Sequence, residues 1–311
     1  MNKNTDRDLK RYVPTREIYD FIKLKSGKEP EKSYSKESLL QLINSFPQDE
    51  TLFTELNNLI ARFRHAGKGS YYWSYPSTSI DFNHKVLDYQ IREHSGHDIF
   101  QIEKRAELDS EPKLVHATWI NEQTLKLDYA YKDKPFEIEV DYEIQEIVPT
   151  RRVSAFLRNF DNTMIFEGRG DIRKARKVFE NIGSILDSGI SQIDITDNEL
   201  EQIKQCLNAY KKGVKHKKSS SIYDTVDLEA SPKVIDLDAE SDYITGYGND
   251  EIRRARYEFD YVYTSGLISK VSFYIIVAND RFRHSGIRFM TEIPEEVVDY
   301  VLSCIKRVKG I

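Results

Sequence analysis

By residue type, the stretch of this chain best suited to chemistry is Glu93-His94-Ser95-Gly96-His97-Asp98, two imidazoles three apart between two carboxylates. Imidazole and carboxylate are zinc ligands, and in a hydrolytic site one of the acids would act as general base. A helix-borne zinc site of that kind needs its histidines on successive turns with a glutamate between them, and Gly96 disfavours the helix this presumes. The segment therefore reads as a polar turn. No glycine-rich phosphate loop, nucleophile elbow or strand-borne Asp…Glu-x-Lys set occurs elsewhere. The chain reads as a binding protein, with no catalytic residue, cofactor or metal ligand assigned, and a metal-dependent hydrolase on Glu93, His94, His97 and Asp98 stands as the least favoured alternative.

Two groups of basic residues are candidates for nucleic-acid contact. Arg62, Arg64, His65 and Lys68 precede the aromatic run Tyr71-Tyr72-Trp73, so cations and stacking rings would sit together. The order of helix, then aromatic strand, is the one in which a winged-helix module presents its recognition helix and wing. Arg169, Arg173, Lys174, Arg176 and Lys177 surround a helix start introduced by Gly168 and Gly170, where free amides and the helix dipole favour an anion. In both places the competing reading is structural: rings that pack a bundle and charges that solvate a helix face.

A third candidate is directed at protein. Val234-Ile235-Asp236-Leu237-Asp238, with the shorter echo Val226-Asp227-Leu228-Glu229, resembles a SUMO-interacting motif, which implies an apolar extended segment that adds a strand to a ubiquitin-like sheet. The alternative for the same residues is a tether onto the protein's own sheet edge. His216-Lys217-Lys218 with Asp224 resembles the phospholipase D signature, but the aspartate is one place too far and the Gly-Ser that should follow is absent. That resemblance implies no activity here.

The elements that must carry these residues follow from hydrophobic period. Thr15, Ser35 and the run Leu52, Phe53, Leu56, Leu59, Ile60, Phe63 mark three helices of a small N-terminal bundle. From Lys113 the pattern alternates as in an antiparallel meander: Leu125, Leu127, Tyr129, Tyr131, a Lys132-Asp133-Lys134-Pro135 turn, then Phe136 to Ile144. Val153-Ser154, Asp161-Asn162 and Gly168 correspond to Val271-Ser272, Asn279-Asp280 and Gly286. Each set is followed by a helical stripe, Ile172, Ala175, Phe179, Ile182 in one and Val297, Val298, Val301, Leu302, Ile305, Val308 in the other. The sequence thus predicts two strand-turn-strand-helix repeats. Glu137, Glu139, Asp141 and Glu143, like Glu258 and Asp260, fall opposite the apolar set and predict acid-faced sheets. The architecture invites comparison with the repeats of TATA-binding protein, but those read DNA across the open sheet face, and a row of carboxylates repels phosphate.

The chain has 311 residues, a net charge of −5 and 31% charged residues, with mean hydropathy −0.59. These values suit a core-bearing protein with a solvated surface and argue against indiscriminate nucleic-acid binding. Two cysteines, Cys206 and Cys304, are too few for a disulfide framework or a cysteine-based zinc site. No membrane span or apolar leader is evident, so the expectation is a soluble intracellular protein of cytoplasm or nucleus.

The expected class is α+β: residues 1–110 a helical domain with the aromatic segment, 111–210 a first sheet-plus-helix unit, 211–248 a flexible charged insertion, and 249–311 a second unit. The expected role is a non-catalytic binding or adaptor subunit of a larger assembly, touching nucleic acid through its basic helical edges. A purely protein-directed module, whose acidic faces meet basic partners, is the alternative.

Overall fold

The computed structural model describes residues 3–65, 69–78, 80, 82–96, 98–101, 103, 107–140, 142–160, 162–217, 225–248, 250–263, 268–278 and 285–311. Lys68, His97, Asp141, Asp161, Asp224 and the Asn279-Asp280 turn, all used in the sequence reading, lie outside them. The chain is mixed helix and antiparallel sheet, as expected of the α+β class. It divides into two units, Met1–Lys68 with Asn198–Tyr274 and Phe289–Ile311, and Gly69–Asp197 with Ile275–Arg288.

The first unit opens with helices α1 (Lys3–Tyr12), α2 (Thr15–Ser26), α3 (Lys36–Asn44) and α4 (Glu50–Arg64). Ser35 and Asp49 accept from Ser38 N and Leu52 N, satisfying amides that the first turns of α3 and α4 leave open. Ile18, Leu39, Ile43, Leu56 and Phe63 fill the space between the helices. The bundle has one helix more than its periodicity predicts. In α1, Leu9 supplies the core contact and charged side chains occupy most other positions, so no stripe is visible in the sequence.

The second unit follows with β1 (Gly69–Pro76), α5 (His84–Ser95), β2 (Lys113–Asn121), β3 (Thr124–Lys132), β4 (Phe136–Val140), β5 (Glu143–Ile147), β6 (Thr150–Phe160), β7 (Thr163–Arg169), α6 (Ile172–Ile185) and β8 (Ile190–Gln192). Its sheet runs β1-β7-β6-β3-β2, with β8 also on β1. The register sets Leu125 against Leu157, Leu127 against Ala155, and Leu157 against Phe166, so one face is apolar in rows. Leu87 and Ile91 of α5 and Ala175, Phe179 and Ile182 of α6 cover that face. β1 pairs with β7 and β8, which lie far along the chain. It is an inner strand, not one arm of the local hairpin that a wing requires.

The chain then runs through α7 (Asp197–Leu207), β9 (Tyr210–Lys217), β10 (Thr225–Glu229), a 3-10 turn (Leu237–Ala239), α8 (Ser241–Tyr247), β11 (Glu251–Val262), β12 (Ile268–Ile276), β13 (Gly286–Phe289) and α9 (Glu295–Lys309), of which Ile275–Arg288 belong to the second unit and most of the rest to the first. Residues 211–248 were expected to be a flexible insertion. The described part of that span instead builds β9, which lies between β10 and β11, together with β10, the turn and α8. Within this lysine-rich strand Lys211 and His216 are buried, and each is given a polar partner, Asp238 and Tyr243. In α9, Val297, Val298, Val301, Leu302 and Ile305 are wholly buried, the stripe the sequence predicts.

Candidate functional site

Carboxylates occupy two contrasting places in the second unit. The first is on the sheet face opposite α5 and α6, where Glu167 of β7 has no solvent exposure. Alternation puts Ile165, Glu167 and Arg169 on that side of β7, because Met164, Phe166 and Gly168 face the helices. Arg169 donates through Nε to Glu167 Oε1 at 2.7 Å, and Trp73 Nε1 donates to Oε2 at 2.9 Å. Arg158 Nε lies 3.4 Å from the same Oε2. The Arg169 guanidinium also stacks over Phe156 at 4.0 Å and Tyr71 at 4.9 Å. Burial opposes charge on Glu167, but the Arg158 and Arg169 guanidiniums and the indole N–H outweigh it and hold the carboxyl below its ordinary value. Neither Glu167 nor Arg158 stood out in the sequence. The available signal was a charged residue at every second position of two otherwise apolar strands, Arg158 after Phe156 and Glu167 with Arg169 around Gly168.

The second place is the β4–β5 hairpin, a two-stranded sheet of its own. Its register sets Glu137 directly opposite Glu146, Glu139 opposite Ile144, and Phe136 opposite Ile147. Among the described residues, Glu137, Glu139, Glu143 and Glu146 make no ion pair. Apolar residues are equally unsheltered here: Tyr142 is 96% exposed, Ile144 74% and Phe136 46%. Tyr142, at the tip, has φ 65, whereas the other non-glycine residues described with positive φ are Asn162, Asp187 and Asn208, types that tolerate it. The expectation of an acid-faced main sheet is therefore corrected for this row. The glutamates belong to a hairpin outside the sheet, and the sheet face itself carries Lys126, Asp128, Ser154, Arg158, Glu167 and Arg169. Near Glu167 that face is buried, with Tyr71, Trp73 and Phe156 each at 3% exposure or less. On β11, Glu258 accepts from Arg256, so it too is neutralised.

The basic residues singled out from the sequence are mostly engaged. Arg62 forms a forked pair with Glu296 of α9 at 3.1 and 2.5 Å and lies over the Tyr263 ring. Arg64 pairs with Asp8 at 2.9 Å. Tyr71, Tyr72 and Trp73 are 2%, 6% and 3% exposed, so their faces are closed to bases. Tyr72 is opposite Gly168 in the register, and a Cβ on Gly286 would come within 2.4 Å of its ring. Both glycines that the sequence aligned border one tyrosine, and neither leaves room for a side chain. His65 is half-buried. At the start of α6, Asp171 accepts from Arg173 N and Lys174 N, so the helix's own carboxylate fills the expected anion site. Lys174 donates to Ser110 O, Arg176 pairs with Glu180, and Lys177 with Glu111. Arg173, 88% exposed, is the most open of this group.

The segment Val234 to Asp238 is folded back. Asp236 accepts from Lys211 N and Asp238 N and pairs with Lys204 at 2.8 Å, while Asp238 pairs with Lys204 at 2.6 Å and Lys211 at 2.7 Å. Burial disfavours charge on Asp238, but the two ammonium groups hold its carboxyl below the usual range. Leu237 is buried with Val214 and Tyr243 in a small core that Val234 edges, and Ile235 is 67% exposed. The acids are spent on the protein's own lysines, and Leu237 to Ala239 is a helical turn, unlike the extended strand a SUMO-type contact uses.

Among the described residues, no group of three histidine, cysteine or carboxylate side chains is close enough to hold a metal. His94 contacts Asn181, and Asp98 pairs with Arg92. Ser154 Oγ donates to Asp128 at 2.6 Å, with His116 3.9 Å from the far carboxylate oxygen. In that order the serine faces the acid and not the base, so no nucleophile is activated. No described helix is long and apolar enough to cross a membrane.

Neither a protein-family model nor a curated protein sequence matches the chain. Among solved structures it is similar to the di-domain ARO/CYC StfQ from the steffimycin biosynthetic pathway, at 9% identity and a TM-score of 0.16 over 78% of this chain and 92% of that one. A likeness at that level carries no argument about fold or function.

Proposed function

We propose that this chain is a non-catalytic binding module, an adaptor within a larger assembly, that engages a basic protein partner through the β4–β5 hairpin. The observation that carries this reading is a set of four glutamates that make no ion pair among the described residues, two of them directly opposed, beside exposed Phe136, Tyr142 and Ile144. Like charges opposite one another destabilise a strand pair, and a lone hairpin is marginal in water. A lysine- or arginine-rich surface would neutralise the acids while covering the rings, and charge complementarity of that kind also speeds and selects association. Contact with nucleic acid through Arg62, Arg64 and the aromatic run loses support, because those arginines are paired and the rings are buried.

The two strand-strand-helix stretches, β6-β7-α6 and β12-β13-α9, read in this proposal as copies of one plan. Their aligned glycines meeting at Tyr72 support that reading.

The test is purification of the tagged full chain from its native host, alongside a variant with Glu137, Glu139, Glu143 and Glu146 all changed to lysine. A co-purifying protein lost from the variant, and released from the wild type by moderate salt, is the expected result. Equal recovery of the same partner by both chains removes the hairpin as the contact.

A further inference from the structure

Helices α1 and α4 pack along one another within the first unit, yet the seam between them is polar. α1 brings Asn4 and Asp8, one turn apart, and α4 brings Asn57, Ile60, Ala61 and Arg64, which share one helix face. Ile60 is 4% exposed and lies deep, whereas Ala61 is exposed and too small to close the seam above it. A cavity of about 300 Å³ remains between the two helices. Small-molecule sites span roughly 300–1,000 Å³, so this one has the size for a free amino acid and not for a nucleotide.

Its polar groups are placed but not used up. Arg64 Nη2 donates to Asp8 Oδ2 at 2.9 Å, which sets a guanidinium and a carboxylate side by side. The other Asp8 oxygen takes a long contact, 3.4 Å, from exposed Arg7, and the other N–H groups of Arg64 meet no acceptor among the described residues. The Arg64 guanidinium is also held over the Tyr12 ring, 5.8 Å from its centre. Asn4 and Asn57 each carry a donor and an acceptor, and neither side chain is hydrogen-bonded among the described residues.

We propose that this cavity binds a free α-amino acid with a neutral polar side chain. Such a molecule carries an ammonium and a carboxylate on one carbon, and Asp8 and Arg64 present the complementary pair at matching separation. The ammonium donates to Asp8, and the carboxylate accepts from the open N–H groups of Arg64, whose planar fork suits it. Asn4 and Asn57 take the polar end of the ligand's side chain, and Ile60 and Ala61 face its methylene groups. Ligand and site are each neutral overall, so no uncompensated charge is enclosed. A simple anion or cation would be repelled by one member of the pair. The bound molecule bridges α1 to α4. This inference is independent of the hairpin proposal.

Calorimetric titration of the purified full chain with L-glutamine, whose amide pairs reciprocally with a carboxamide, should show one saturable site. 4-Carbamoylbutanoate keeps the carboxylate and the amide but lacks the ammonium, and should bind roughly tenfold or more weakly, as the loss of a hydrogen bond to a charged group implies. In Asp8→Asn the two compounds should bind alike. Arg64→Lys keeps the charge without the fork and should weaken both. Because these changes also break the pair joining α1 to α4, Ala61→Leu is the second variant: it fills the space, keeps both charges, and should abolish binding while the thermal midpoint is unchanged. The proposal is overturned if neither L-glutamine nor L-serine saturates the chain up to about 10 mM, if L-leucine binds as well as L-glutamine, or if the Ala61→Leu chain binds like the wild type.

Discussion

Glu167 and the glutamates of β4–β5 are the same chemical group in one unit of the molecule, and they live under opposite rules. Glu167 is taken wholly out of water and surrounded by two guanidiniums, an indole N–H and aromatic faces. The hairpin acids are exposed and, among the described residues, make no ion pair. A buried charge is tolerated only when its partners are built around it, so such a cluster reports on folding. An exposed charge costs the fold little to leave unpaired, and a concentration of them beside bare hydrophobic side chains reports on what the surface meets. The difference separates residues that hold the protein together from residues that are free to recognise.

The sharpest break of that contrast is Glu167→Gln. Removing one member of a buried pair strands its partners, so the loss of stability should be about 3–5 kcal/mol, read by chemical denaturation. Changing Glu167, Arg158 and Arg169 together to methionine should recover most of it, since no uncompensated charge remains. A triple variant as unstable as the single one would mean that the cluster's shape, and not its charge, is what the fold uses. Acid should act on this cluster and on the Asp238 turn. The folded-state pKa of Glu167 lies below its ordinary value of 4.5, and that of Asp238 below 3.8. Their contribution is complete above those ordinary values and is lost as pH falls through the depressed ones. Denaturation midpoints measured from pH 6 down to pH 2 should fall in that window, and Glu167→Gln should flatten the drop. An unchanged slope in the variant would assign acid sensitivity elsewhere.

Next in size is Asp238→Asn, which takes a charged acceptor from Lys204 and Lys211. Hydrogen bonds to charged groups contribute about 1.5–3 kcal/mol, and the lower end applies here because Asp238 remains a quarter exposed. Limited proteolysis between residues 225 and 248 should accelerate as the 3-10 turn loosens. If the cleavage rate is unchanged, Leu237 and Val234 hold the segment without the acids.

What was readable beforehand follows from the same contrast. The stripes of α6 and α9 were legible because Ala175, Phe179, Val301 and Ile305 repeat at helical spacing and need only a nonpolar surface to cover them. The class and the capped start of α3 were legible because Ser35 bonds to an amide three residues away. Lys211, His216, Glu167 and Arg158 were not, because a polar side chain is buried or exposed according to a partner that the local sequence does not name. Lys211 finds Asp238, and His216 finds Tyr243 and the Asp250 carbonyl. Read alone, the lysine run looks solvated. Arg62 misled for the same reason, since Glu296 is at the other end of the chain. The acids of β4–β5 were read as the wet side of a strand but assigned to the wrong sheet, because alternation reports which side of a strand is wet and says nothing about which strands join.

The hairpin side of the comparison predicts small effects on stability. Changing Glu137, Glu139, Glu143 and Glu146 together to lysine should leave Tm within about 2 °C of the wild type, because surface substitutions away from caps and pairs change stability little. Reversing all four charges keeps the cross-strand repulsion and changes only its sign. A drop of many degrees would place the hairpin among the structural acids, and the distinction drawn from Glu167 would not hold.

Tyr142→Gly should change stability least. A left-handed residue with a Cβ is strained by about 1–2 kcal/mol, which glycine relieves. Glycine gives back about 0.5–1 kcal/mol through the freedom it gains in the unfolded chain. A ring that is 96% exposed has almost no packing to lose, so the net gain should be under about 1 kcal/mol and visible only by chemical denaturation. Among the described residues the ring has no packing partner, yet strain is borne at the tip that carries it. The same substitution should therefore weaken capture of the partner while the folded chain is slightly steadier. A variant that gains stability and binds as before would remove Tyr142 from the contact and leave recognition to Phe136, Ile144 and the four carboxylates.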